Sequence, residues 1–240
     1  MWSVILVCCL FGISHGAMIE WTSQDYPNPQ EMPELCGRYT DTPSYVCDPN
    51  GLISKKSADF LDHILLSFQN DTKCPCSAYS CERRQHSKGY IIAIALMRKI
   101  KRPDNVKDTP EAKKVLVHQF ASDLRLRLWN SWATCDELIV IAFSKEDGIL
   151  TTVTGSAANR VLSYNVTMAI QTELARFFRT DGNIGQGLHY LTLNYRRVLD
   201  GYDYYPIMYG DVPIHSGAAG KMTIAVLTCI ITTILLNIFC

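Results

Sequence analysis

An unbroken apolar run, Leu138 to Phe143, constrains the fold of this chain more than any other stretch. The run is rich in β-branched residues, too short for a free-standing helix and bounded by charge, which is typical of a strand covered on both faces. A polar turn with a glycine, Ser144 to Gly148, follows it, and Ile149 to Thr154 returns as a half-polar strand. The sequence therefore predicts a β-hairpin whose first strand lies deep and whose second strand lies nearer an edge.

A second apolar run, Gly89 to Met97, is the natural neighbour of that strand. Between the two runs, Thr109-Pro110-Glu111 combines a helix cap, a first-turn proline and a first-turn acid. An i+4 ladder then predicts a helix that continues through Trp129. Its inward residues would be Ala112, Leu116, Phe120, Leu124 and Leu128. The order strand, long helix, strand favours parallel pairing of the two strands.

Three further helices are predicted. The first starts after the capping residue Ser54, and one face carries Phe60, Leu61, Ile64, Leu65 and Phe68. The second is capped by Ser163, and its inward positions would be Val166, Ile170, Leu174 and Phe177 or Phe178. The third runs from Ile184 to Leu199. We therefore expect an α/β fold, with a helix layer on each side of a small mixed sheet.

Length and composition favour one folded domain. The chain has 240 residues, 48% of them hydrophobic, and can bury one core of up to about 200 residues. Prolines in residues 17–54 exclude a helix and predict an extended arm, residues 55–200 form the domain, and residues 201–221 are a stalk or a wrap against it. Lys+Arg and Asp+Glu both number 23, so net charge gives no indication of nucleic acid binding.

The two ends predict export and attachment to a membrane. Residues 1–16 have the length and the small residues of a secretory signal peptide cleaved after Gly16. Residues 222–240 form an uncharged run that could be a single transmembrane helix or the tail of a glycolipid (GPI) anchor signal, with Ser216 as the candidate attachment residue. Either alternative places the domain outside the cell, at the plasma membrane.

Cysteine usage agrees with an extracellular location. Six cysteines lie between the signal and the tail, namely Cys36, Cys47, Cys74, Cys76, Cys81 and Cys135, and an even number in a secreted segment predicts disulfides. We expect Cys36 to pair with Cys47. Because Cys74 and Cys76 are too close to pair with each other, one joins Cys81 and the other Cys135, and we favour Cys74–Cys81 with Cys76–Cys135. A metal site on Cys74, Cys76 and Cys81 is the weaker alternative.

Candidate sites for modification or chemistry are few. Two sequons, at Asn70 and Asn165, predict N-linked glycans and hence two exposed positions. Acidic residues near strand ends could converge on a cation, although solvated loop ends are the favoured interpretation: Asp136, Glu137, Glu146, Asp147 and Asp181. The histidines are scattered without metal spacing. We therefore assign no catalytic residue, metal ligand or cofactor.

A family resemblance adds to this interpretation. The order of five elements resembles the TPM domain: Cys135-Asp136, Gly155, Leu162-Ser163, Phe177-Phe178-Arg179 and Gly185-x-Gly187-Leu188. The N-terminal part is similar to the nematode branch of that superfamily, the modulator of levamisole receptor family, at Trp21 to Pro29, Pro33 to Arg38 and Cys47 to Gly51. The resemblance implies a three-layer α/β/α domain.

The same resemblance implies a function. Members of this branch are extracellular, membrane-anchored auxiliary proteins that promote gating of levamisole-sensitive acetylcholine receptors, so acetylcholine-gated channel subunits are the expected partners. Other TPM branches imply an alternative, an extracellular acid phosphatase or a calcium-binding domain. At Asp136-Glu137 the chain departs from the wider pattern, in which a small residue and glycine often follow the acid. No catalytic residues are carried over.

Overall fold

Two β-sheets and six α-helices make up the part of the chain that the computed structural model describes, residues 20–39, 42–83 and 89–204. The strands are β1 (Glu20–Trp21), β2 (Val46–Cys47), β3 (Ile91–Met97), β4 (Lys99–Ile100), β5 (Leu138–Ser144) and β6 (Ile149–Thr154). The α-helices are α1 (Lys55–Asp71), α2 (Ala78–Arg83), α3 (Pro110–Asp123), α4 (Ser156–Asn159), α5 (Tyr164–Leu174) and α6 (Ile184–Leu199). The mixed α/β class predicted from the sequence is confirmed.

The main sheet has the strand order β2-β3-β5-β6. β3 and β5 pair in parallel, with Ile91 opposite Leu138, and β5 and β6 pair antiparallel, with Ser144 opposite Ile149. All residues of β3 and β5 are buried, because helices cover both faces of these central strands. In β6, which forms one edge, only Thr152 is buried. The predicted hairpin and parallel pair are both confirmed.

The other edge of the sheet comes from the N-terminal arm, which the sequence did not predict. β2 pairs in parallel with β3, and Ile94 N donates to Tyr45 O at 2.8 Å. The arm is not wholly extended either, since Pro33–Cys36 forms a 3₁₀ helix. A proline tolerates this position because the first turn of a helix leaves its N–H groups without intrahelical partners. The expectation that prolines exclude any helix in the arm is therefore wrong at this turn.

Helix α3 covers one face of the main sheet. Its buried residues are Val117, Phe120 and Ala121, followed by Leu124. The predicted helix through Trp129 is wrong in its last turn, because α3 ends at Asp123 and the chain continues as a π-helical turn, Leu124–Leu128. A π turn has more residues per turn than an α-helix, so the i+4 ladder loses its register and Leu128 is 38% exposed.

Helices α1, α5 and α6 form a layer on the opposite face. Leu61, Leu65 and Phe68 of α1 are buried as predicted, but Phe60 is half exposed and lies edge-on to His189 of α6, with ring centroids 4.9 Å apart. Phe178 is buried against Phe143 of β5, with ring centroids 5.2 Å apart. Together with α3, this layer gives the three-layer α/β/α arrangement.

The termini belong to the undescribed part of the chain. The predicted signal peptide (residues 1–16), the candidate anchor residue Ser216 and the apolar run 222–240 all lie outside the described residues. Within the described ranges, no helix combines the length and the apolar character needed to cross a bilayer.

Candidate functional site

Three disulfides cross-link the domain in the arrangement favoured from the sequence. Cys36–Cys47 closes the arm, Cys74–Cys81 joins the segment after α1 to α2, and Cys76–Cys135 connects that segment to the loop before β5. The sulfur atoms of Cys74, Cys76 and Cys81 are therefore all in disulfides. In this oxidised form they offer no thiolate to a metal ion.

The acidic residues singled out in the sequence fall into two separate groups. Asp136 and Glu137 precede β5, whereas Glu146 and Asp147 follow it, so seven strand residues at about 3.3 Å each separate the two pairs. Glu146 accepts a 2.6 Å hydrogen bond from Arg98. Asp147 accepts hydrogen bonds from Ile100 N and from Ser144 Oγ. The five acids therefore do not form one cluster. Asp181 lines the same groove as Glu146 and Asp147, whereas Asp136 and Glu137 do not line it.

Asp136 instead holds a tight loop together. Its φ of 64° is the left-handed conformation, its carboxylate forms an ion pair with Arg125, and its Oδ2 accepts a 2.6 Å hydrogen bond from Ser156 N. A Cβ on Gly155 would lie 2.0 Å from Asp136 O. Glycine is therefore required at 155 by close backbone approach. These TPM-like residues connect the start of β5 to α4.

Another family motif also has a packing role. A Cβ on Gly187 would lie 2.6 Å from Phe177 Cβ, so glycine lets α6 approach the 3₁₀ helix Ala175–Phe178. Leu162, from the Leu162-Ser163 element of the same resemblance, is fully buried. The motif glycines and Leu162 thus position α4, α5 and α6 around the sheet.

The arm motifs attach the arm to the domain. Buried Arg38 donates from Nη2 to Asp59 and Asp62 of α1, at 2.6 and 2.9 Å. Asn50 Oδ1 accepts hydrogen bonds from Trp21 Nε1 at 2.8 Å and from Arg98 N at 2.9 Å. The two motifs therefore link the arm both to α1 and to the end of β3.

A groove of about 1040 Å³ lies beside the first half of β6, residues 149–151, between α3 and α5. Its floor is formed by the hairpin, residues 145–151. The helical walls contribute Lys114, Val115, His118 and Gln119 from α3, and Tyr164, Met168, Gln171 and Thr172 from α5. The remaining lining residues are Ala175 and residues 178–181. Two wall residues are apolar and widely exposed, since Val115 is 66% and Tyr164 is 59% accessible.

The backbone of β6 presents hydrogen-bonding groups to this groove. Gly155 N donates to Leu138 O at 2.9 Å, and with the antiparallel register this pairs residues 149, 151 and 153 with β5. The N–H and C=O groups of Leu150, Thr152 and Thr154 consequently point away from β5. In the described part of the chain, no further strand pairs with this edge of the main sheet.

Gln171 of α5 meets part of this open edge. The amide orientation that suits all its neighbours donates to Leu150 O and accepts from Thr152 N, both at 3.3 Å. The side-chain amide thus stands where a peptide group of a neighbouring strand would lie. Tyr195 OH lies 2.7 Å from Thr152 Oγ1, and burial raises the pKa of Tyr195 to about 12, so its hydroxyl stays protonated.

Three basic and three acidic side chains line the hairpin end of the groove. Lys114, Lys145 and Arg179 are exposed, and within the described ranges none of them forms an ion pair with a carboxylate. Of the acids that line the groove, Glu146 pairs with Arg98 and Asp147 lies 3.7 Å from Lys113. Asp181 remains as an exposed counter-charge.

The remaining predicted positions are dispersed. Asn70 is exposed at the end of α1, and Asn165 is exposed in the first turn of α5; glycosylation at both stays a prediction. Among the described histidines, His63, His118 and His189 lie on three different helices. Burial lowers the pKa of His189, which lies edge-on to Phe60 and stacks on Tyr190. Sequence reasoning missed Gln171, Val115 and Tyr164; the threonine-rich half-polar strand β6 was the one available signal for the open edge.

The described part of the chain is thus a disulfide-cross-linked α/β/α domain with one open sheet edge. Residues 21–148, more than half of the chain, match the family described as modulator of levamisole receptor-1, and the chain belongs to this family. The membership expected from the sequence is confirmed and implies a role in modulating the levamisole receptor.

A solved structure is also similar. The solution NMR structure of the N-terminal domain of a protein from P. gingivalis has a TM-score of 0.48 and 16% sequence identity, and the match covers 77% of this chain and 94% of that domain. No curated protein matches the chain.

Proposed function

We propose that this chain is an extracellular, membrane-anchored auxiliary protein that promotes gating of levamisole-sensitive nicotinic acetylcholine receptors by direct contact. The family match over residues 21–148 carries the proposal. The three disulfides support the extracellular location, because such bonds persist in oxidising compartments. The uncharged run at residues 222–240 supports attachment to the membrane.

Attachment to the membrane would allow even a weak contact with the receptor to be occupied. Confinement beside the receptor raises the effective concentration to about the millimolar range. The contact can change gating only if the protein binds the open receptor more tightly than the closed one. A coupling free energy of about 1–3 kcal/mol would change the open-to-closed ratio by about 5- to 150-fold.

Co-expression in oocytes tests the proposal. Levamisole-sensitive receptor subunits are expressed with the full-length chain, with a variant lacking residues 222–240, or alone, and acetylcholine-evoked currents are recorded. We expect larger currents with the full-length chain and much smaller enhancement with the truncated one. Unchanged currents, with surface labelling showing the full-length chain at the plasma membrane, would refute the proposal.

The proposal also holds that the protein acts by contact and not by turnover of a substrate. Assay of the purified protein on generic phosphomonoesters separates this function from the phosphatase alternative. We expect no turnover above that of the matched G155A variant, whose Asp136 loop is disrupted. Saturable hydrolysis that G155A abolishes would favour the enzyme.

A further inference from the structure

We infer that the groove along β6 is the contact surface of this protein, and that it binds one extended, acidic-ended segment of the receptor by adding that segment to the sheet as a fifth strand. This inference rests on the proposed function for the identity of the partner. The chemistry of the partner segment follows from the groove itself.

The sequence of β6 lacks the features that usually protect an edge from strand pairing. Natural edge strands are blunted by charge, proline, bulges or very short length. β6 has six residues, ILTTVT, without charge or proline, and it pairs with β5 in unbroken register. The opposite edge strand, β2, has two residues. β6 is therefore the edge that can accept another strand.

Gln171 shows that the outward groups of β6 can be satisfied from the groove. Its amide contacts Leu150 O and Thr152 N in the manner of one peptide group. An added strand would displace this amide at Leu150 O and Thr152 N and would pair with the remaining outward groups of Leu150, Thr152 and Thr154. Exposed Val115 and Tyr164, on opposite walls, would contact alternate side chains of that strand.

The shape of the groove favours a single extended segment over a second copy of this chain. β6 lies at the floor, between side chains of α3 and α5. Another copy would bring its own β6 together with its own α3 and α5, and these helices would have to fit against the walls of the groove. A lone segment without flanking helix layers meets no such obstacle.

Charge defines the end of the segment. Lys114, Lys145 and Arg179 lie at the hairpin end, and Asp181 is the exposed acid opposing them. Glu146 and Asp147 are already engaged by Arg98 and Lys113. Carboxylates on the partner segment at this end would form ion pairs with these unpaired cations.

Hydrogen exchange on the full-length chain in detergent tests the groove directly. The probe is the peptide acetyl-Asp-Asp-Val-Thr-Val-Thr-Val-amide, with a peptide carrying two lysines in place of the aspartates as its counterpart. We expect the acidic peptide to slow exchange at the outward amides of residues 150 and 154 and the lysine peptide to leave it unchanged. The amides of residues 149, 151 and 153 already donate to β5 and should exchange slowly in every sample. The double variant K145E/R179E should bind the acidic peptide about five- to tenfold more weakly. Its matched control, K56E/R197E, reverses two exposed charges outside the groove and should bind as the wild type does.

Several outcomes would overturn the inference. Equal effects of the two peptides, or none, would exclude a charge-selective strand site. Slow exchange at residues 150 and 154 without peptide would identify another occupant: a second copy if it depends on protein concentration, or the chain's own C-terminal segment if deletion of residues 205–221 removes it.

Receptor currents connect the groove to the partner. If the wild type and K56E/R197E enhance the current and K145E/R179E does not at equal surface level, the receptor is the partner. If all three enhance it equally, the receptor contacts another surface and the inference fails while the proposed function stands. If the wild type itself has no effect, the proposed function fails, and the peptide experiment still decides whether the groove accepts a strand.

Discussion

The Cys76–Cys135 disulfide allows a quantitative test of how this domain is stabilised. It joins residues 59 apart in sequence, whereas Cys74–Cys81 joins residues only 7 apart in the same region. All four cysteines are partly exposed, so their replacement by alanine leaves no large cavity. The two bridges therefore differ mainly in the length of chain that they close. Cys36–Cys47 is unsuitable for the comparison, because both its residues are fully buried and their removal would add a packing cost.

The expected magnitudes follow from loop-closure entropy. For a separation of 59 residues the bridge contributes about 4.2 kcal/mol at 25 °C, and for a separation of 7 residues it contributes about 2.4 kcal/mol. The double variant C76A/C135A should thus lose about 2 kcal/mol more free energy of unfolding than the matched variant C74A/C81A.

Urea denaturation followed by tryptophan fluorescence measures this difference. Trp129 is fully buried and stacked on Trp132, with ring centroids 5.0 Å apart, so unfolding changes the surroundings of both rings. The difference is read from the midpoints, provided that the slopes agree. If C76A/C135A proved no less stable than C74A/C81A, chain entropy would not be the main contribution of these bridges and the reasoning would be refuted.

Four further predictions concern single features. G155A should lower the free energy of unfolding by about 1–3 kcal/mol because its Cβ would meet Asp136 O. G185A should lower it by less, because the nearest atoms to its Cβ belong to the Ser57 side chain, at 3.1 Å or more; urea denaturation compares the two variants. Y195F removes a buried hydroxyl bonded to Thr152 and should cost about 1–3 kcal/mol in the same assay, against almost no change for Y202F, whose ring is 64% exposed. Because burial lowers the pKa of His189, the folded state binds a proton at this residue less tightly than the unfolded state. The stability of the protein should therefore decrease as the pH falls below about 6.5, and thermal melts of H189Q should show a shallower decrease across that range. Deletion of residues 222–240 should release the protein into the medium, and retention of the deleted form in the membrane fraction would contradict the predicted attachment. Phospholipase treatment of the full-length form distinguishes the two kinds of anchor, because it should release a GPI-anchored protein but not a transmembrane one.

Local patterns in the sequence determined the elements of the main sheet and most helix starts. The continuous β-branched runs of β3 and β5 specify strands covered on both faces, because only a central strand buries both of its faces. Thr109 and Ser54 cap α3 and α1 through their side chains, as their residue types predict, since the contact involves neighbours three residues away. Short spacing also excluded pairing between Cys74 and Cys76, which left two arrangements with Cys81 and Cys135, and the structure has the one that we favoured.

The tertiary structure alone decided features that depend on residues distant in sequence. Two residues, Val46 and Cys47, are too few to show a strand period, and β2 exists because β3 offers them a parallel partner. Phe60 fits the apolar pattern of α1 but stays half exposed, because α6 places the partly buried His189 beside it. The groove beside β6 also depends on residues distant in sequence. The sequence shows that β6 is half polar. The packing of α3 and α5 on opposite faces of the sheet then decides which helices flank its edge and which cations lie there.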